Sequence, residues 1–356
     1  MKVAARTSMS VVGGVAVFFA AASVSVAGDL NPPAGPVLPT MKTLVEVEPR
    51  MPIGQATTPG DANNVFIITS SGSYYLTGDV TIPLTKAGIQ IGADNVTLDL
   101  NGFAIIGPGA GVAATAIYAP GAARGITVKN GTIRSCAHGV LLNNATLAMV
   151  SMVTVANCSN SGVLVGSAGI VDRCIAVSCG AVGISAGNGS VITGCAAQSC
   201  TNGGILAAGP GVAVTGCSAT QNTGPGFLVL SNGATLTDCI AVSNGSDGFQ
   251  IGSSTLIRGC SAVSNGNGGT GSGIHATGSD NRIEGNNCTA NDRGIEIDSG
   301  GNFVTRNTCS GNTTSNWDVA ASNIILVVAG ATSAGFNGNV GGAGPGSTDP
   351  NANFSY

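Results

Sequence analysis

Acid–base chemistry has few places to sit in this sequence, because only 8% of its 356 residues are charged and only two are histidine, His138 and His275. His138 precedes Gly139-Val140 with no carboxylate evident nearby, so it reads as an exposed corner residue. His275 is different. It lies 21 residues before Glu296 and 23 before Asp298. If residues 21 or 22 apart are stacked, His275 and Glu296 become neighbours and Asp298 follows on the same strand and face. An imidazole beside two carboxylates could exchange protons with a sugar hydroxyl or ring carbon, or hold a cation. His275, Glu296 and Asp298 are therefore the candidate catalytic residues. The competing reading is a solvated face whose ion pairs each contribute little, and it is the expectation adopted.

Charge density marks the same region. Between Gly131 and Ser279 there are six charged residues, whereas the 27 residues from Asp280 to Arg306 hold eight. Arg282, Glu284 and Arg306 fall in that segment and are the candidate substrate-binding residues.

The stacking assumption rests on an internal repeat, the first thing to test for in a chain of this composition. One ladder runs Cys136, Cys158, Cys179, Cys200, Asn222, Asn244, Asn265, Asn291, Asn312, in steps of 21 or 22 with a single step of 26. A second, five residues earlier in each unit, runs from Cys174 through Cys195, Cys217, Cys239 and Cys260 to Asn286 and Asn307. Each unit repeats Gly followed by a large apolar residue, as in Gly183-Ile184, Gly226-Phe227 and Gly273-Ile274. A further apolar column runs from Val171 through Ile192, Val214, Leu236, Ile257 and Ile283 to Val304. Period-two runs such as Ile295-Glu296-Ile297-Asp298 are strand-like, and no segment shows a 3.6-residue period. Gly and Asn suit tight corners.

A coil of about 21 residues with several short strands and no helix predicts an all-β, single-stranded right-handed parallel β-helix, a solenoid of about nine coils of 21–22 residues. Equivalent residues would then lie about 4.7–4.9 Å apart. In this alignment Gln250, His275, Glu296 and Asp318 share one outward column, while Trp317 matches the inward Phe227 and Phe249 and reads as an apolar plug near one end. A leucine-rich repeat is excluded by the lack of a leucine pattern, and a nonapeptide calcium repeat by the lack of its Gly-Gly-x-Gly-x-Asp series. The extra residues Asn267 to Ser272, inside the long step, are either a Gly-rich bulge or a lip beside His275.

The segments Gly72-Ser73-Tyr74-Tyr75-Leu76-Thr77-Gly78 and Asn95-Val96-Thr97-Leu98-Asp99-Leu100-Asn101-Gly102-Phe103, the repeating columns, and Pro350-Asn351-Ala352-Asn353-Phe354-Ser355 together resemble the right-handed parallel β-helix repeat proteins. The likeness is to a secreted bacterial group on the pectate-lyase-like scaffold, and it covers most of residues 64–356. It implies fold more than activity, because that scaffold is shared by pectin-acting lyases and hydrolases, epimerases, sugar-binding modules, tailspikes and adhesins. It also implies that Asp99 sits in a structural strand and turn.

Residues 1–27 read as a secretory signal, with Lys2 and Arg6 before the apolar run Val11–Ala22 and small residues at Ser25-Val26-Ala27. The expected organisation continues with a Pro-rich extended lead-in at 28–62, the β-helix at 63–322, and a C-terminal cap with a Gly-rich tail at 323–356. That tail is expected to lie outside the coils or hang free. The protein is thus expected in the periplasm or outside the cell, with no membrane span. Without the signal, 11 basic residues face 17 acidic ones, which repels a phosphate backbone and argues against nucleic acid. The eleven cysteines read as small inward residues, with inter-coil disulfides or metal ligation as rivals. No C-x-x-C pair is present, and no resident metal or cofactor is expected. The function expected is an exported surface-structural or interaction module contacting polysaccharide or cell-surface components. The alternative is a polysaccharide lyase, glycoside hydrolase or epimerase acting at coils 274–306, with Ca2+ entering only for a lyase. Catalysis is left open, leaning to a non-catalytic role.

Overall fold

The computed structural model describes residues 48–109, 113–266, 269–326, 328–330, 336–338 and 349–356. The chain divides into two units, Met1–Val47 and Glu48–Tyr356, and only the second falls within the described residues. The signal segment and most of the lead-in lie outside them. Every regular element among the described residues is a β-strand, so none forms a helix long and apolar enough to cross a membrane.

A typical turn of the solenoid carries three short strands joined by tight corners, for example Ser272–Ala276, Arg282–Glu284 and Asn287–Thr289. Each pairs in parallel with its counterpart one turn away. The first strands of successive turns form a thirteen-stranded parallel sheet from Asn64–Ile68 to Phe336–Gly338, roughly 60 Å long at the spacing of parallel strands. The other two strands of each turn belong to one twenty-four-stranded sheet. They join because Thr127–Arg134 and Met149–Ala156 run unbroken through the intervening corner.

The register agrees with the columns in the sequence. Val163, Ile184, Ile205, Phe227, Phe249, Ile274, Ile295 and Trp317 pair in succession, and all are buried. The Phe227 and Phe249 rings stack with centroids 4.7 Å apart. The Gly before each of these residues except Trp317, which follows Asn316, is needed for space, not for its dihedral angle. A Cβ on Gly248 would lie 2.7 Å from the Gly273 carbonyl oxygen and 2.8 Å from the Asn265 side-chain amide.

All eleven cysteines are free thiols and buried. The Asn ladder explains why the two residue types share a slot. Asn244 donates from both its backbone N–H and its Nδ2 to Asn265 Oδ1, at 3.1 and 2.8 Å, and Asn265 repeats this with Asn291. In the Cys portion of the second ladder a sulfur takes the carbonyl's place: the Cys195 backbone N–H reaches Cys217 Sγ at 3.4 Å. The corner residue before each slot adopts a left-handed φ of 54–55° at Ser178, Ser199, Gln221, Ser243 and Ser264. Polar L-residues therefore hold a corner where Gly or Asn was expected, an arrangement costing about 1–2 kcal/mol each that ladder hydrogen bonds offset.

Two expectations are corrected. The solenoid has about twelve turns, not nine. Its first turns use the inward residues Phe66, Ile89 and Ile117 ahead of Val140, which lack the Cys or Asn marker and are joined by steps longer than 22 residues. The C-terminal residues, moreover, do not hang free. Asn353–Ser355 pairs in parallel with both Thr308–Ser310 and Val328–Gly330. Asn353 is fully buried, and its Oδ1 accepts the Asn307 backbone N–H at 2.9 Å.

Candidate functional site

The outward column of the thirteen-stranded sheet changes character along its length. Leu141, Leu164, Ser185, Leu206 and Leu228 stack on one another and give way to Gln250, His275, Glu296 and Asp318. A strand places alternate residues on opposite faces, so burying Ile274 and Ala276 necessarily turns His275 outward. Stacking then sets it between Gln250 and Glu296.

His275 is clasped on both sides. Its Nδ1 lies 3.1 Å from Asp247 Oδ2 and its Nε2 lies 2.9 Å from Asp298 Oδ2. The two carboxylates differ in exposure, the Asp247 side chain being 7% accessible and that of Asp298 51%. Asp247 is fixed in turn, its Oδ1 accepting the Ser272 backbone N–H at 2.7 Å. Glu296 accepts the Ser272 hydroxyl at 2.5 Å and pairs with Arg293 at 3.5 Å. Arg293 also reaches Asp318 at 3.2 Å. Ser272 thus ties the Asp247–His275 pair to Glu296, using its backbone for one and its hydroxyl for the other.

Burial opposes charging the imidazole, yet the hydrogen bonds it donates to Asp247 and Asp298, with the nearby Asp247 and Glu296 charges, outweigh it and hold the His275 pKa at about 9. At neutral pH the free protein therefore presents an imidazolium, an acid and not a base. Counted formally, Asp247, Glu296, Asp298 and Asp318 against His275 and Arg293 leave the cluster with an excess of two negative charges.

The three candidate catalytic residues are thus gathered at one place, but the three candidate substrate-binding residues are not among them. Arg282 and Glu284 lie on a strand of the other sheet, and Arg306 follows the next strand of that same stack. They form a separate group. Glu284 accepts Arg282 Nε at 2.7 Å and pairs with Arg306 at 3.3 Å, and the Arg282 hydrogen bond foremost holds its carboxyl below the usual range. Arg282 also covers the Phe303 ring at 5.1 Å, and Arg306 Nε donates to Asn351 Oδ1. Nearness in sequence misled here, because seven residues after His275 the chain has already rounded a corner.

The residues missed were Asp247, Ser272 and Arg293. Each occupies the position immediately before the repeated Gly, and the column reading Asp, Ser, Arg there was the available signal.

His138 differs from expectation as well. It is half-buried, its Nδ1 is enclosed without a hydrogen-bond partner, and burial lowers its pKa. Asp99 has the structural place implied for it, its buried carboxylate pairing with Arg50 at 3.2 Å and Lys129 at 3.7 Å.

Residues 138–277 match the family model described as the right handed beta helix region. No curated protein sequence matches the chain. Among solved structures, the Dettilon tailspike protein is 13% identical with a TM-score of 0.56, over 68% of this chain and 59% of the tailspike. The A-module of Azotobacter vinelandii mannuronan C-5 epimerase AlgE4 is 15% identical with a TM-score of 0.54, over 82% of this chain and 90% of that one. A double mutant of the periplasmic alginate epimerase AlgG is 11% identical with a TM-score of 0.53, over 88% and 82%. At these identities the likeness is one of fold: the described chain is a right-handed parallel β-helix similar to those of tailspikes and alginate epimerases.

Proposed function

We propose that the protein is an extracytoplasmic interaction module that binds a polysaccharide along the outward column of the thirteen-stranded sheet, with the His275 cluster fixing the position of the sugar. One observation carries this reading: a β-helix with few charged side chains gathers Asp247, His275 and Asp298, hydrogen-bonded to one another, and Glu296, tied to them through Ser272, on one face. Preorganised polar groups beside an apolar stripe are what oriented ligand binding requires, and Leu206 and Leu228 supply that stripe on the adjoining turns. The excess negative charge of the cluster favours a neutral glycan over a polyuronate.

A catalytic reading has one specific observation in its favour. A buried carboxylate, Asp247, backs one ring nitrogen of His275 while the other nitrogen faces the half-exposed Asp298, an arrangement that prepares an imidazolium to donate a proton. Glu296 and Asp298 would then be the flanking carboxylates of a glycoside-cleaving site.

Purified protein screened against immobilised neutral and uronate-containing polysaccharides separates these readings. Retention on a neutral glycan, weakened at least about tenfold by Asp298→Asn and accompanied by no new reducing ends or unsaturated products, is the expected result. Product formation abolished by His275→Gln would establish catalysis instead. Failure to bind any glycan, or binding indifferent to Asp298→Asn, would remove the proposal.

A further inference from the structure

We propose that Asp247, His275 and Glu296 bind one divalent transition-metal ion of the Zn2+ class, held at the outer face of the thirteen-stranded sheet. One ligand atom from each of the three side chains lies within 4.8 Å of the other two. Two carboxylates and an imidazole make a donor set suited to Zn2+, Mn2+ or Fe2+, whereas Ca2+ prefers oxygen ligands alone.

The surroundings of each ligand support this more strongly than proximity does. Metal-binding histidines almost always donate their second ring N–H to a carboxylate or carbonyl, which fixes the ring and its tautomer. Here the second nitrogen, Nε2, points to Asp298 Oδ2 at 2.9 Å, leaving Nδ1 turned inward toward Asp247. Asp247 is oriented through Oδ1 by the Ser272 N–H, which leaves Oδ2 as its ligating atom. Glu296 is oriented through Oε2 by the Ser272 hydroxyl and Arg293, which leaves Oε1. Each ligand thus keeps one donor atom for the ion and uses another to anchor itself.

The Asp247 side chain is more than nine-tenths buried and faces the imidazole, so a bound ion would neutralise a charge withdrawn from water. His275 and Glu296 remain 19% and 16% accessible, enough for entry from solvent. On binding, the ion takes the place of the Nδ1 proton, which leaves to solvent. Three protein ligands leave coordination positions for water or for a ligand hydroxyl, the pattern of functional metal sites, where structural ones are closed by four. The inference stands on this geometry alone and does not require that a glycan bind.

Zn2+ titrated calorimetrically into chelator-treated full-length protein tests it. The expected result is saturable binding of one ion per chain, weakened about 10–100-fold by Asp298→Asn, which removes only the orienting carboxylate, and by at least as much in His275→Gln. Arg306→Ala, at the corner after Phe303–Thr305 of the other sheet, should leave the affinity unchanged. Circular dichroism confirms that each variant is folded, and Gln at 275 keeps a polar side chain in an outward position. The inference is overturned by the absence of saturable Zn2+ binding, by equal affinity in His275→Gln, or by Ca2+ binding as tightly as Zn2+. Glycan retention measured separately in chelator keeps the two proposals distinct: retention without Zn2+ binding defeats only the metal, and Zn2+ binding without retention on any glycan defeats only the module.

Discussion

The turns from Val163 to Cys260 and those from Ser272 to Val319 are built to one plan inside and to different plans outside. Inside, both stack a branched or aromatic residue under each corner, and both fill the neighbouring slot with a residue whose acceptor meets the backbone N–H of the adjacent turn. In the second ladder sulfur does this among the first turns, at 3.4 Å, and a side-chain carbonyl does it in the later ones, at 2.9 Å. Outside, the column of the first region runs through Leu164, Ser185, Leu206 and Leu228 to Gln250, with Asp247 beside it at the end, and that of the second offers His275, Glu296 and Asp318. The inward positions settle where every residue sits, and the outward ones are released from that task to carry charge.

The comparison can be broken most severely from inside. Phe249→Ala removes a ring stacked on Phe227 in a fully enclosed column, and urea unfolding should show a loss of about 3–5 kcal/mol. A loss under about 1 kcal/mol would mean that the stack is loosely packed. The two kinds of ladder can be told apart next. Asn265→Ala removes the acceptor of the Asn244 backbone N–H and of one Asn244 Nδ2 hydrogen and the donor to the Ala241 carbonyl, with an expected cost of about 2–4 kcal/mol. Cys217→Ala, which removes one weak sulfur acceptor, should cost roughly 1 kcal/mol. Equal losses in the two variants would show that the slot is filled for volume alone. The smallest effect is expected outside: Arg306→Ala breaks a half-exposed pair with Glu284, which keeps Arg282, and the hydrogen bond to Asn351, and should shift stability by less than about 1 kcal/mol.

How far the sequence could be read follows the same division. The columns Val171 to Val304 and Val163 to Trp317 were legible because an enclosed position tolerates few side chains, so similar letters recur. The first turns were not legible as repeats, since aliphatic residues such as Ile89 and Ile117 fill them without a marker and their steps are uneven. At the site, pairing His275 with Glu296 needed only the repeat length, whereas placing Arg282 and Arg306 needed the positions of the corners. Asp247 escaped notice because it stands before a Gly and not within the alternating strand pattern. The ligand set Asp247, His275 and Glu296 could not be found by short-range spacing rules, since its members are more than twenty residues apart and meet only through stacking.

The strand Asn353–Ser355, threaded between Thr308–Ser310 and Val328–Gly330, makes the order of synthesis matter. Turns can accrete as the chain emerges from its N-terminal side, but this rung needs Asn353–Ser355, which is made after every other strand described in the stack. Until then the growing stack has an unsealed edge able to recruit stray strands. Asn353–Ser355 acts as a latch, so that a chain lacking it would retain its coils and lose its closure.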